Sequence, residues 1–259
     1  MIQVYSCDGM GFYRDALLRM GFEQYRDPSS PALFLGTYFK SDVDTMARHR
    51  GPGYVFWNGT DAVHLGKNPE WVRFLKGLPL RHATHHDGLA AEVGALLDVP
   101  VEVSPTLFRD PMDYPIMFVP SVPRDYFMST HEGRHGEYGV PEALALFKTL
   151  DPSGFRLFIF GDRPALSRPE NVQYCGRWPE TAMDRACSSM HGALRLNNHD
   201  GTSQIVLKSR LWGQWPVVHR RHEPGLRERL LESSGHRAAS TRDGLVLNTF
   251  IDAIRRNHA

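Results

Sequence analysis

The residues with the clearest chemical potential lie between His199 and Lys208, in the stretch HDGTSQIVLK. Asp200 and Gly201 read as a turn. Thr202 or Ser203 then offers an oxygen to the free N–H groups of a following helix. Free N–H groups and the helix dipole also favour an anion, so the same residues suit a phosphate. From local sequence alone, a plain capped loop between a strand and a helix is the commoner explanation. Lys208 stands on that helix one turn after Gln204, on the same face. Asp8 and Asp61 each fall just past an expected strand end, where a general base would face a substrate hydroxyl. Gly9 and Gly11 follow the first expected strand, but Arg14 stands where the last glycine of a dinucleotide-binding fingerprint belongs. Asp42 and Asp44 form an Asp-x-Asp pair that could hold a metal; at a helix start, capping explains them more simply. His82, His85 and His86 cluster in HATHHDG, which reads as a solvated turn.

Short apolar runs alternating with helical patterns must position these residues, as in a layered α/β protein. Strands are expected at 2–6, 32–39, 53–57, 101–105, 116–122, 155–161, 171–176, 192–197 and 216–220. Helices are expected at 12–22, 42–50, 69–78, 88–99, 140–150, 179–192, 203–213 and 245–257. The proline-rich stretch 106–115 reads as a linker. The expected organisation is one α/β unit over 1–110, a second over 111–240, and a closing helical segment over 241–259. Two such units bind ligands at strand C-terminal ends and helix N-termini.

Composition excludes some classes. Lys+Arg (30) and Asp+Glu (29) nearly cancel across 259 residues, so net charge points to neither nucleic acid nor membrane. Basic residues do thicken between Lys208 and Arg237, with Trp212 and Trp215 among them. A nucleic-acid acceptor therefore stays open, although interspersed glutamates dilute the charge and both tryptophans suit a core. Three cysteines without paired spacing fit a reducing, cytoplasmic setting. The N-terminus lacks signal-peptide features, and no run of apolar residues is long enough to span a bilayer.

The segment RLNNHDGTSQIVLKSRLWGQWPVV resembles the donor-binding segment of GT-B glycosyltransferases, especially those of glycosyltransferase family 4. The stretches RLFIFGDRP, VQYCGRWPETAMDRACSSMHGALRL and WNGTD resemble further family segments. The likeness is good over about 116–220 and loose over 1–110. It implies an α/β fold of two facing Rossmann-like units and metal-independent transfer of a sugar from a UDP- or GDP-sugar, with no other cofactor. Asp200 matches the first acid of the family pattern, near the donor sugar, and is a candidate catalytic residue with Asp61 and Asp8. His199, Gly201, Thr202 and Ser203 match the diphosphate cradle. Gly11 belongs to the first loop and Asp162 to the Gly-Asp turn. Arg177 and Trp178 match the nucleobase loop, and Arg124 and Arg134 match a basic pair loosely. The acceptor is left open: a glycan, a small molecule, or a hydroxymethylated base in phage-type DNA. Lys208 departs from the pattern, because the family has there a second acid that holds the ribose. It could reach the diphosphate, or be a solvated helix lysine; equally, the donor could be atypical or the site degenerate. Two rival readings are a catalytically silent nucleotide-binding module and a nicotinamide-dependent oxidoreductase.

Overall fold

The computed structural model describes residues 1–131, 133–197, 203–220, 224–234 and 247–258. The chain divides into two compact units, Met1–Pro111 with Val246–Ala259, and Met112–Leu245.

Unit 1 runs β1 (Gln3–Tyr5), α1 (Gly11–Arg19), β2 (Glu23–Gln24), β3 (Ala32–Phe34), α2 (Lys40–Arg48), β4 (Gly53–Trp57), α3 (Thr60–Gly66), α4 (Pro69–Lys76), β5 (Leu80–Thr84), α5 (Asp87–Leu97) and β6 (Val101–Val103). Among the described residues its strands form a six-stranded sheet, ordered β2-β1-β3-β4-β5-β6. Neighbouring strands are parallel throughout. Helices cover both faces of such a sheet, which is why β3 and β4 are unbroken apolar runs, buried from end to end.

Unit 2 runs β7 (Arg124–Thr130), α6 (Val140–Phe147), β8 (Phe155–Gly161), β9 (Val172–Gly176), α7 (Glu180–Cys187), β10 (Gly192–Arg195), α8 (Gln204–Leu211), β11 (Val217–Val218) and α9 (Leu226–Ser233). Its parallel sheet has the order β11-β10-β7-β8-β9. Chain order reverses between β7 and β10, and in unit 1 between β1 and β3. Open α/β sheets bind ligands beyond the strand C-termini at such reversals.

The last helix, α10 (Thr249–Asn257), belongs to unit 1 and is not a separate segment. Phe250, Ile251 and Ile254 enter the core formed by Ile2, Val4, Leu17, Phe56 and Phe108. Asn248 locks the helix start, accepting the Leu107 N–H at 2.9 Å and donating to the Arg109 carbonyl at 2.9 Å.

Two of the expected strand placements need correction. No strand forms over 116–122; the strand is β7, which starts at Arg124. Prolines 115, 120 and 123 cannot donate to a ladder, and Val119 and Val122 are 65% and 75% exposed. The strand falls instead where Tyr126, Phe127 and Met128 bury their side chains. In addition, β5 occupies residues read as part of a turn, because its His and Thr conceal a strand that carries little apolar signal.

Candidate functional site

The C-terminal edge of the unit 2 sheet gathers several of the candidate residues. β8 ends at Gly161, which takes φ 110°. A Cβ there would lie 2.0 Å from the Thr130 carbonyl oxygen, so only glycine lets the turn lie against the end of β7. Asp162 comes next. Its two oxygens accept from Arg177 Nε at 2.6 Å and Nη2 at 2.9 Å, a fork-on-carboxylate pair that fixes both groups. Arg177 and Trp178 follow the end of β9. The Trp178 indole donates to the Cys175 carbonyl at 2.8 Å and meets Phe160 edge-on at 5.3 Å. The ring is held in place yet 46% exposed, as a stacking platform would be.

Ser203 is the N-cap of α8. Its Oγ is buried and has no hydrogen-bond partner among the described residues. The first N–H groups of α8 lack intrahelical acceptors, as at any helix start. His199, Asp200, Gly201 and Thr202 lie outside the described residues. In the loop after β7, Arg134 pairs with Glu137 at 2.6 Å and stacks over Tyr138 at 5.8 Å.

Arg124 does not join this group. It is the first residue of β7, at the opposite edge of the sheet from strand C-termini, because the strand lies later in sequence than expected. Its Nε donates to the Ser234 carbonyl at 3.0 Å and its guanidinium lies over Phe155.

Lys208 is not a solvated lysine. It is 6% exposed, and its Nζ donates to Glu180 at 2.8 Å and to both Asp184 oxygens at 2.9 Å. Burial opposes its charge, but Asp184, Tyr114 and Glu180 outweigh burial and raise its pKa. An ammonium has three N–H donors, and contacts to α7 occupy them. The partners are one helical turn apart on α7, an acidic i, i+4 spacing that is visible in the sequence.

At the C-terminal edge of unit 1, Asp8 is exposed in a short 3-10 turn after β1, and Gly11 opens α1. Asp61 is fully buried. Its carboxylate accepts the main-chain N–H groups of Asn58 (3.0 Å), Gly59 (2.7 Å) and Ala62 (3.1 Å), tying β4 to α3. Gly36, at φ 72°, presses on it: a Cβ there would lie 2.0 Å from Asp61 Oδ2. Asp42 caps α2, accepting the Tyr38 and Phe39 N–H groups at 2.8 and 2.9 Å, and Asp44 pairs with Lys40. His85 is buried rather than solvated, accepting the Thr106 N–H at 3.3 Å, and His82 accepts the Trp57 indole N–H at 3.2 Å. His86 caps α5. Trp212 is buried against Tyr114 and Phe127 and so offers no face for a nucleic-acid base.

Burial raises the Asp61 pKa to about 6, against the effect of its N–H donors. A carboxyl raised in the folded state contributes stability that is full below its unfolded value, about 4, and lost as pH rises through 6. Asp61→Asn removes that dependence. Acidifying from pH 7 to 4 should therefore stabilise the native protein over the variant by on the order of 3 kcal/mol. Urea titrations of both at the two pH values test this, and parallel pH profiles would contradict it.

A cavity of about 570 Å³ in unit 1, lined by Ile2, Phe22, Arg255 and Arg256 among others, opens at the N-terminal edge of the sheet, away from these residues. Among the described residues no group of three or more His, Cys, Asp or Glu side chains could hold a metal, and no helix is long and apolar enough to cross a membrane.

No protein-family model matches the sequence. No curated protein matches it. Solved structures do. A UDP-forming α,α-trehalose-phosphate synthase from Burkholderia vietnamiensis aligns with a TM-score of 0.59 at 9% identity, over 95% of this chain and 77% of its own. The synthase from Burkholderia xenovorans, solved with glucose-6-phosphate, gives 0.57 at 10% identity over 91% and 72%. WaaG, a glycosyltransferase of lipopolysaccharide biosynthesis, gives 0.52 at 11% identity over 93% and 92%. At such identities the likeness is one of fold. The chain has the α/β fold of GT-B glycosyltransferases, built from two Rossmann-like units.

Proposed function

We propose that this chain transfers a sugar from a nucleoside-diphosphate sugar, with UDP or GDP as carrier, to an acceptor hydroxyl. The observation that carries the reading is the C-terminal edge of unit 2. It presents an exposed, anchored indole, an Asp162–Arg177 fork and a serine hydroxyl at a helix start that is unpartnered among the described residues. In this reading Trp178 stacks on the base, with Asp162 and Arg177 at its rim. The N-terminus of α8, with His199, Gly201, Thr202 and Ser203, receives the diphosphate. Asp200 approaches the donor sugar. Arg134 and the α8 dipole offset the charge of the departing diphosphate without a metal.

In the reaction, the bond from the sugar C1 to the diphosphate oxygen breaks and a bond from C1 to the acceptor oxygen forms. If configuration inverts, a carboxylate takes the hydroxyl proton. Asp8 suits that role better than Asp61, whose oxygens already accept main-chain N–H groups. The acceptor is a glycan, a small molecule or a hydroxymethylated DNA base.

Calorimetric titration with UDP, GDP and NAD tests the reading. A nucleoside diphosphate should bind, and Trp178→Ala should weaken it by about 1–3 kcal/mol, the worth of a stacked base. Binding of NAD alone would sink the proposal and favour an oxidoreductase. A second reading, a silent nucleotide-binding module, is favoured by the commitment of Lys208 to α7. It predicts binding without release of nucleoside diphosphate from any nucleotide sugar.

A further inference from the structure

We infer that Lys208 is a positioning residue: it brackets α7 to α8 and thereby fixes the Arg177–Trp178 loop relative to the start of α8. The inference rests on the reading of this edge as a nucleotide site. α7 begins two residues after Trp178, and α8 begins immediately after Ser203. Both helices lead away from the same sheet edge, so a tie between them sets the span between the two loops. Lys208 is the tie. Its stem is buried in α8, and its ammonium is held by Glu180 in the first turn of α7 and Asp184 in the second. Tyr114 lies below, with its ring centroid 5.8 Å from Nζ. Because Nζ donates to three carboxylate oxygens, the lysine serves a bound anion through geometry and not by contact. Binding groups must be held within fractions of an ångström to act together. An aspartate or glutamate at 208 would meet two like charges, so the bracket also explains why an acid is absent there.

The experiment compares native protein, K208M and the exchange K208E/D184K by UDP titration and by amide exchange over 176–184. The exchange variant keeps every charge and restores a cross-helix pair with its polarity reversed, while removing the ammonium from α8. K208M should bind UDP about tenfold more weakly and its 176–184 amides should exchange faster. The exchange variant should recover most of both. Loss of UDP affinity in the exchange variant, with native amide protection, would overturn the inference in favour of direct contact. Unchanged amide protection in K208M would overturn the bracket itself. If K208M does not fold, the exchange variant alone decides: it must bind UDP near the native affinity. If native protein binds no nucleoside diphosphate, the nucleotide reading fails. The amide-exchange comparison still tests the bracket.

Discussion

Acidification from pH 7 to 4 is expected to destabilise unit 1 by several kcal/mol, with His85 and His82 as the principal cause. Burial pushes the His85 pKa down to about 3, aided by neighbouring His86, and the His82 pKa down to about 4. An unfolded histidine takes up its proton near pH 6.5. A depressed folded pKa contributes stability that is present above 6.5 and lost as pH falls toward 4 and 3. The structure shows why protonation is resisted. Nδ1 of His85 accepts the Thr106 N–H and Nδ1 of His82 accepts the Trp57 indole N–H. Protonation would set two donors face to face in a buried site. At about 1.4 kcal/mol per pKa unit, the two histidines together outweigh the opposing gain from Asp61. The net loss is a sizeable part of a typical domain stability of about 5–15 kcal/mol. His85→Asn keeps an acceptor near the Nδ1 position and cannot take a proton. Its acid-unfolding midpoint, followed by circular dichroism, should lie at lower pH than that of the native protein. An unchanged midpoint would exclude His85 as the cause.

Gly161→Ala is expected to cost unit 2 more than about 3 kcal/mol and, on the proposed nucleotide reading, to abolish nucleotide binding in whatever protein folds. Two effects coincide. The added Cβ meets a backbone oxygen, Thr130 O, at 2.0 Å, so relief requires the ends of β7 and β8 to separate. The φ of 110° is also one that alanine rarely adopts. Large losses of this kind arise from strain at special backbone positions. Functionally, Gly161 aims Asp162 at Arg177, so opening the turn releases the fork beside Trp178. Gly176→Ala is the control. It too has a positive φ, 77°, but its Cβ would meet nothing within 4 Å. It should cost less than Gly161→Ala in thermal melts. Equal losses would show that the close approach to Thr130 is unimportant.

Much of the edge site was legible because local chemistry specified it. Asp162 and Arg177–Trp178 follow apolar runs that end in glycine, and such runs mark strand ends. Ser203 precedes a helical pattern and takes the N-cap position, although its hydroxyl makes no capping hydrogen bond among the described residues. Asp42 was likewise readable as a cap. Elsewhere local and tertiary signals diverge. Residues 116–122 are apolar enough for a strand but interrupted by proline. Residues 80–84 are a strand with polar letters, because His82 and Thr84 find partners inside the core.

Local sequence was enough to place most strands and helices and, for β8 and β9, the residues that follow them. Hydrophobic period, capping and turn residues act over a few neighbours and need no distant partner. What Arg124, Asp61 and Lys208 do was set by tertiary packing, since charge acts on whatever lies close in space. Arg124 moved to the far edge once β7 took its register. Asp61 proved a buried fastener for β4 and α3. Lys208 sits on its helix where the family pattern has an acid, and its meaning comes from Glu180 and Asp184, 28 and 24 residues away in sequence. The last helix joined unit 1 because Phe250, Ile251 and Ile254 fill a core whose other half lies at the start of the chain.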